Sequence, residues 1–364
     1  MAPRRRLLYR ARNGEAAMTN PLQGWRVDPA DITTVGRDLR RPECVLAEKS
    51  GDLWCADLRG GVLHIRPDGT QEPIRPKNGG GPFASPNPSI DGNGGFSMPN
   101  GLCFDAKGDF IIANFGTNRI EALTRGGDYR LLLDTVGGKK LGKTNFPAID
   151  GKGRLWFSVT ASAESWASGR VGQEVDGYIV LVEDINDPAS ARIVATGFAG
   201  TNELRFDENE EWLYVAETGG GHISRLRIRP DGSLTDRQVY GPEKIGGNPD
   251  GFAFDASGNI WTTLVLQDQL VAITPEGEVL VLWEDGDRET KRRAAEERAR
   301  GGGRPDIGKL QPGDGLAPRM ASITFGGPDL CTVYIGSLLG TSLPTFRSPV
   351  PGRPLSHWGK AWRA

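Results

Sequence analysis

The sequence predicts an all-β fold, a six-bladed β-propeller, and three observations carry that prediction. A strand-turn-strand unit recurs along the chain, glycine is in excess at the turns of that unit, and the unit itself shows no helical periodicity. Glycine accounts for 51 and proline for 25 of the 364 residues. The 37% apolar content, with 9 Trp and 13 Phe, is enough for a large core. Glycine therefore punctuates ordered structure here instead of diluting it.

The units follow one another in order. The first is ECVLAEKSGDLWCADLRGGVLHIRPDG from Glu43, and the second is NGLCFDAKGDFIIANFGTNRIEALT from Asn100. NFPAIDGKGRLWFSVT follows from Asn145, NELRFDENEEWLYVAETGGGHISRLRI from Asn202 and DGFAFDASGNIWTTLVLQDQLVAIT from Asp250. A degenerate sixth, SITFGGPDLCTVYIGS, begins at Ser322. Each reads as a strand, an acidic residue, a short turn, a second strand with an aromatic near its start, then a loop and a third strand. Asp105, Asp150, Asp207 and Asp255 mark the turns at intervals of 45, 57 and 48 residues, and their geometry is explained by capping those turns. A sandwich has no need of six equal units, and an α/β fold needs helices that the pattern lacks. The last blade is expected to borrow a strand from the other terminus, which closes the ring and leaves no long exposed edge.

The reading is one propeller over residues 41–364, preceded by an extension over 1–40 whose Arg-rich start reads as a flexible tail. Three insertions break the period: 77–98, 161–176 and 284–304, the last with helical character and acids ahead of bases. Strand direction places all three on one face of the ring. Phe115 and Trp166 are candidates for its mouth.

With 44 basic and 46 acidic residues, the net charge of −2 argues against a nucleic-acid or membrane-surface partner. No apolar run suits a membrane span or a secretory leader, so the expected compartment is the cytoplasm. Cys44, Cys55, Cys103 and Cys331 form no metal-binding or dense disulfide pattern and read as reduced. Oligomeric state is not readable from the chain.

The informative feature is phase. Asn100, Asn145, Asn202 and Asp250 each stand five residues before a turn Asp, and Glu43 stands five before Glu48. In a propeller such positions open the innermost strands and converge on the axis. An Asn or Asp before a turn is ordinary in one unit; five in register are not. Two carboxylates and three amides at one point need a cation among them, and oxygen donors favour Ca²⁺ or Mg²⁺, with Mn²⁺ and Zn²⁺ as alternatives.

These residues make the chain resemble the senescence marker protein/gluconolactonase/regucalcin-like family of six-bladed propellers. The resemblance runs from about Glu43 to about Ser337 and is carried best by GGNPDGFAFDASGNIWTTL, TNELRFDENEEWLYVAE and ITFGGPDLCTVYIGS. It implies one axial divalent cation, Ca²⁺ first, held by Glu43, Asn202 and Asp250. It also implies that Asn145 lies near the metal or substrate, with Lys143 as the matching basic residue. The chain departs from the family at Asn145-Phe146-Pro147, where sugar-lactone hydrolases read Asn-Asp-Gly, and at Asn202-Glu203, where they read Asn-Gly. Phe146 suggests a small-molecule substrate less polar than gluconolactone.

The implied activity is metal-dependent lactone hydrolysis, with the carbonyl polarised by the cation and Asp250 activating water. Lys143, Asn100 and His222, which follows three glycines, are further candidates for substrate contact. No GxSxG elbow supports a serine hydrolase. The alternatives are another reaction at the same metal, whether lyase, isomerase or other hydrolase, and a non-enzymatic calcium- or protein-binding propeller.

Overall fold

The computed structural model describes residues 19–77, 96–168, 174–286 and 315–360. Six four-stranded antiparallel sheets stand around an axis. From the inside outward, blade I is Val45–Ala47, Leu53–Ala56, Val62–Ile65 and Gln71–Ile74. Blade II is Pro99–Phe104, Phe110–Asn114, Arg119–Leu123 and Tyr129–Leu133, and blade III is Thr144–Ile149, Leu155–Val159, Gly177–Val182 and Ala191–Phe198. Blade IV runs through Thr201–Phe206, Trp212–Glu217, His222–Ile228 and Leu234–Tyr240. Blade V is Pro249–Phe254, Ile260–Leu264, Gln269–Ile273 and Val279–Glu284. Blade VI is Met320–Gly326, Thr332–Ser337 and Leu343–Arg347, completed by Thr33–Val35.

That last strand lies inside the segment expected to be an extension, so the ring begins before residue 41. Thr33, Thr34 and Val35 pair antiparallel with Thr345, Pro344 and Leu343. The stretch before them is also packed: Leu22 is fully buried, Trp25 lies 5.7 Å from Trp261, and Val27 N–H donates to Leu282 O (2.9 Å). Each inner strand touches the next, and that of blade VI touches that of blade I.

The turn acids act as the repeat implies. Oδ1 of Asp105 accepts from Lys107 and Asp109 N–H, that of Asp150 from Lys152 and Arg154, that of Asp207 from Glu211 and Trp212, and that of Asp255 from Ser257 and Asn259. In three blades the acid also accepts from the indole six residues on: Glu48 from Trp54 (2.6 Å), Asp150 from Trp156 and Asp255 from Trp261 (both 2.9 Å). One motif thus fixes the turn and anchors a large core ring.

The topology puts the positions of all three insertions on the face where the inner strands begin, although 78–95, 169–173 and 287–314 lie outside the described residues. At the edges of the first two, Met98 and Trp166 pack with Leu58 and Phe115, the rings of Phe115 and Trp166 meeting edge to face at 4.6 Å. Trp166 sits in a short helix, Ala163–Ala167, whose Ser165 N–H is capped by Ser162 Oγ (3.1 Å). Both aromatics expected at the mouth are therefore buried in one cluster.

On the opposite face the chain after blade VI crosses the axis. Arg353 N–H donates to Phe254 O (2.8 Å), its guanidinium donates to Phe206 O (2.7 Å), and His357 Nε2 lies 2.9 Å from Ala47 O. This strap walls a cavity of about 310 Å³ at the far ends of the inner strands. All four cysteines are free. Among the described residues no helix is long and apolar enough to cross a membrane.

Candidate functional site

Four inner strands open with the same irregularity. From Pro99 to Leu102, Thr144 to Pro147, Thr201 to Leu204 and Pro249 to Phe252, three steps on the inner strand face two on its neighbour. One extra residue is a β-bulge, which bends the strand and re-aims its side chains. The bulged pairs are Asn100-Gly101, Asn145-Phe146, Asn202-Glu203 and Asp250-Gly251. Glycine is required at two of them, because a Cβ on Gly101 would lie 2.6 Å from Asn145 O and one on Gly251 2.6 Å from Ala321 O. Glu43 arrives differently, in a tight turn whose Glu43 N–H donates to Arg41 O (2.7 Å) just ahead of blade I.

The five predicted ring residues come together. Each is 8% exposed or less. Asn100 Nδ2 donates to Asn145 O (3.3 Å), and its side chain lies beside Glu43, whose carboxyl it pulls down. Asn145 Nδ2 donates to Thr160 Oγ1 (3.1 Å). Asn202 Nδ2 donates to Thr218 Oγ1 (3.0 Å), and its side chain lies beside Asp250, whose carboxyl it pulls down. Burial pushes the Glu43 carboxyl above its ordinary range against the pull of Arg41. Asp250 is pushed well above its range, first by burial and then by the charge of Glu43. A buried carboxylate whose proton affinity is raised further by a second carboxylate marks a place where positive charge is favoured.

The donor set fits a hard cation. Asn145 Oδ1 is buried without a hydrogen-bond donor, and Glu43 Oε2 meets Arg41 without the geometry of a hydrogen bond. Among the described residues no three His, Cys, Asp or Glu side chains form a group that could hold a metal on their own. A cation at this ring would therefore rely on amide oxygens beside the two carboxylates, as Glu43, Asn202 and Asp250 offer.

Three charged residues at this centre escaped the sequence reading. Arg41 Nη1 lies 2.5 Å from Glu43 Oε2 and donates to Pro99 O (3.2 Å), while Nη2 donates to Asn100 Oδ1 (2.8 Å). Glu203 is buried beside Asn202, pushed up to about 7 by burial, and ion-paired with Arg205. The signal for Glu203 was present in the sequence, since it stands where Gly101 and Gly251 stand in their units. The signal for Arg41 was only its place two residues before Glu43.

The other candidates scatter. Lys143 is buried, with Nζ 3.4 Å from Phe115 O and 5.5 Å from that ring's centroid. Phe146 does not face the mouth: its ring lies in the core against the Arg205 guanidinium (5.6 Å) and lines the far cavity. His222 Nε2 lies 3.2 Å from Glu217 Oε1 and Nδ1 lies 3.1 Å from Gly220 O, both in its own hairpin.

Comparison with known proteins agrees with this fold. A 6-deoxy-6-sulfogluconolactonase of Pseudomonas putida is 25% identical over 183 residues, which cover 49% of this chain and 58% of that protein. The matched segment thus spans little more than half of that relative. Among solved structures, a gluconolactonase of Xanthomonas campestris superposes with a TM-score of 0.61 at 19% identity, covering 88% of this chain and 89% of that one. A calcium-binding regucalcin of Agrobacterium tumefaciens gives 0.59 at 14% identity over 91% and 98%. At these identities the two structures speak to the fold alone. Residues 41–288 match the model of the SMP-30/gluconolactonase/LRE-like region, a span that holds the five ring residues and all strands of blades I to V. The chain therefore belongs to the SMP-30/gluconolactonase/LRE-like family.

Proposed function

We propose that this protein is a metal-dependent lactonase, a hydrolase that opens a cyclic ester of small-molecule size. The observation that carries the reading is the convergence of two buried carboxylates and three amides, from five blades, on one end of the axis. Family membership and the sulfogluconolactonase relative support the same activity. Glu43, Asn202 and Asp250 would hold one divalent cation, with Ca²⁺ preferred because all the donors are oxygen. When bound, the cation supplies Lewis-acid polarisation of the ester carbonyl.

The chain's own residues do the rest. Asp250 takes a proton from the attacking water and returns it to the ring oxygen as the ester opens. Asn145 Oδ1, unspent in the network, accepts from a substrate hydroxyl or from that water. Thr160 and Thr218 hold the amides of Asn145 and Asn202 in place. Phe146 gives no reason to expect a substrate less polar than gluconolactone, because its ring lies in the core and lines the far cavity, away from the mouth.

The test is proton release from a panel of sugar, aliphatic and aryl lactones, before and after chelation and with each divalent metal restored. Turnover should vanish with EDTA, return first with Ca²⁺, and fall at least about 100-fold in Asp250→Ala. Turnover untouched by both changes would refute the reading. Calcium binding without turnover of any lactone would favour a binding propeller.

A further inference from the structure

Arg41 is the most constrained residue of the ring that the mechanism above leaves unused. It is a non-glycine residue in the left-handed region (φ 53°), it closes a tight turn onto Glu43, and it is only 7% exposed. Its guanidinium is held by Glu43, Asn100 and Pro99 O. Nε is buried without an acceptor, while Glu43 Oε2 and Asn145 Oδ1 are buried without a hydrogen-bond donor. An ester brings a carbonyl oxygen, which accepts, and on which negative charge grows during attack. Arg41 combines a fixed positive charge with an unspent donor at this point.

We propose that Arg41 is a catalytic residue whose Nε–H donates to the carbonyl oxygen of the ester. This rests on the lactonase reading and adds to it a fixed positive charge supplied by the protein. The water oxygen bonds to the carbonyl carbon, the π pair moves to the oxygen facing Arg41, and the water proton goes to Asp250. The pair then returns, the bond to the ring oxygen breaks, and that oxygen takes the proton from Asp250. No oxidant or further reactant is needed.

Arg319 supplies a control. It too is buried, has positive φ (61°) and an unpaired Nε, but its contacts go to Leu266 O and Asp268 outside the ring. The experiment measures kcat and KM for Arg41→Met, Arg41→Lys, Arg41→Ala and Arg319→Met on the lactone that the wild type turns over fastest, with calcium binding followed by calorimetry. Arg41→Met should lose about 100-fold in kcat with KM within a few-fold and one calcium still bound. Arg41→Lys should be intermediate, methylguanidinium should restore part of the rate to Arg41→Ala, and Arg319→Met should behave as wild type. A kcat for Arg41→Met within threefold of wild type overturns the assignment and leaves the lactonase reading standing. A loss that neither lysine nor methylguanidinium relieves marks a packing role and also overturns it. A wild type inactive on every lactone overturns both.

Discussion

Glu217 shows how much a single side chain carries away from the axis. Its carboxylate accepts from Ala199 N–H (2.9 Å), Ser224 Oγ (2.5 Å) and Arg237 Nη2 (2.7 Å), and meets His222 Nε2 at 3.2 Å. Burial alone would raise its pKa, but these donors hold it down at about 2, against 4.5 for a free glutamate. Fully transmitted, that difference is about 3 kcal/mol, and solvent around Arg237 reduces it to about 2 kcal/mol. Because the folded-state value is depressed, the contribution is complete above about pH 4.5 and drains away as pH falls toward 2. Glu217→Gln should therefore unfold about 2 kcal/mol more easily in urea at pH 7, with the gap to wild type closing at pH 3 and below; a gap independent of pH would disprove the charge's role. The same group fixes His222, which the sequence offered as a candidate for substrate contact. Three glycines marked a loop, but strand register sets His222 directly opposite Glu217, a cross-strand partner that no local pattern announces. The turn aspartates were legible for the opposite reason: the acid, the turn and the second strand lie within a few residues of one another.

At the scale of elements, closure of the ring depends on a strand of three residues. Thr33–Val35 covers the edge of Leu343–Arg347, and the segment before it adds Leu22, Trp25 and Val27 to the packing of blades V and VI. A chain lacking residues 1–36 loses that strand and leaves an unpaired edge beside fully buried Leu343. Leu22 alone is worth about 2–5 kcal/mol by the usual cost of emptying such a site. The truncated chain should melt at least about 10 °C lower and associate at its open edge, as read by calorimetry and light scattering. A melting point within about 2 °C of the full chain would show that the strand is dispensable. That a terminal strand must seal blade VI was legible from the repeat count. Which strand does so was not, because Thr-Thr-Val is too short and too exposed to show a pattern. The bulges were equally hidden: phase marked Asn100, Asn145, Asn202 and Asp250, but the extra residue that turns them inward is a property of register between strands.

For the whole molecule, a repeated unit makes the architecture readable, because six similar segments that cannot bury their faces alone have one common way to do so together. The ring site was readable only in part. Its oxygen donors repeat with the blades and so declare themselves, whereas Arg41, Glu203 and Arg205 occur once each and acquire meaning only when the blades meet. Phe146 shows the limit of reading chemistry from a neighbour in sequence, since the bulge sends Asn145 and Phe146 to different partners. The claim on which the rest depends is that this end of the axis binds one divalent cation through Glu43, Asn202 and Asp250. Calorimetric titration of the chelated protein with Ca²⁺, beside Asp250→Asn, tests it most directly. A single site per chain, lost in the variant while its fold persists, is the predicted result; absence of binding, or binding unchanged in Asp250→Asn, would contradict the account.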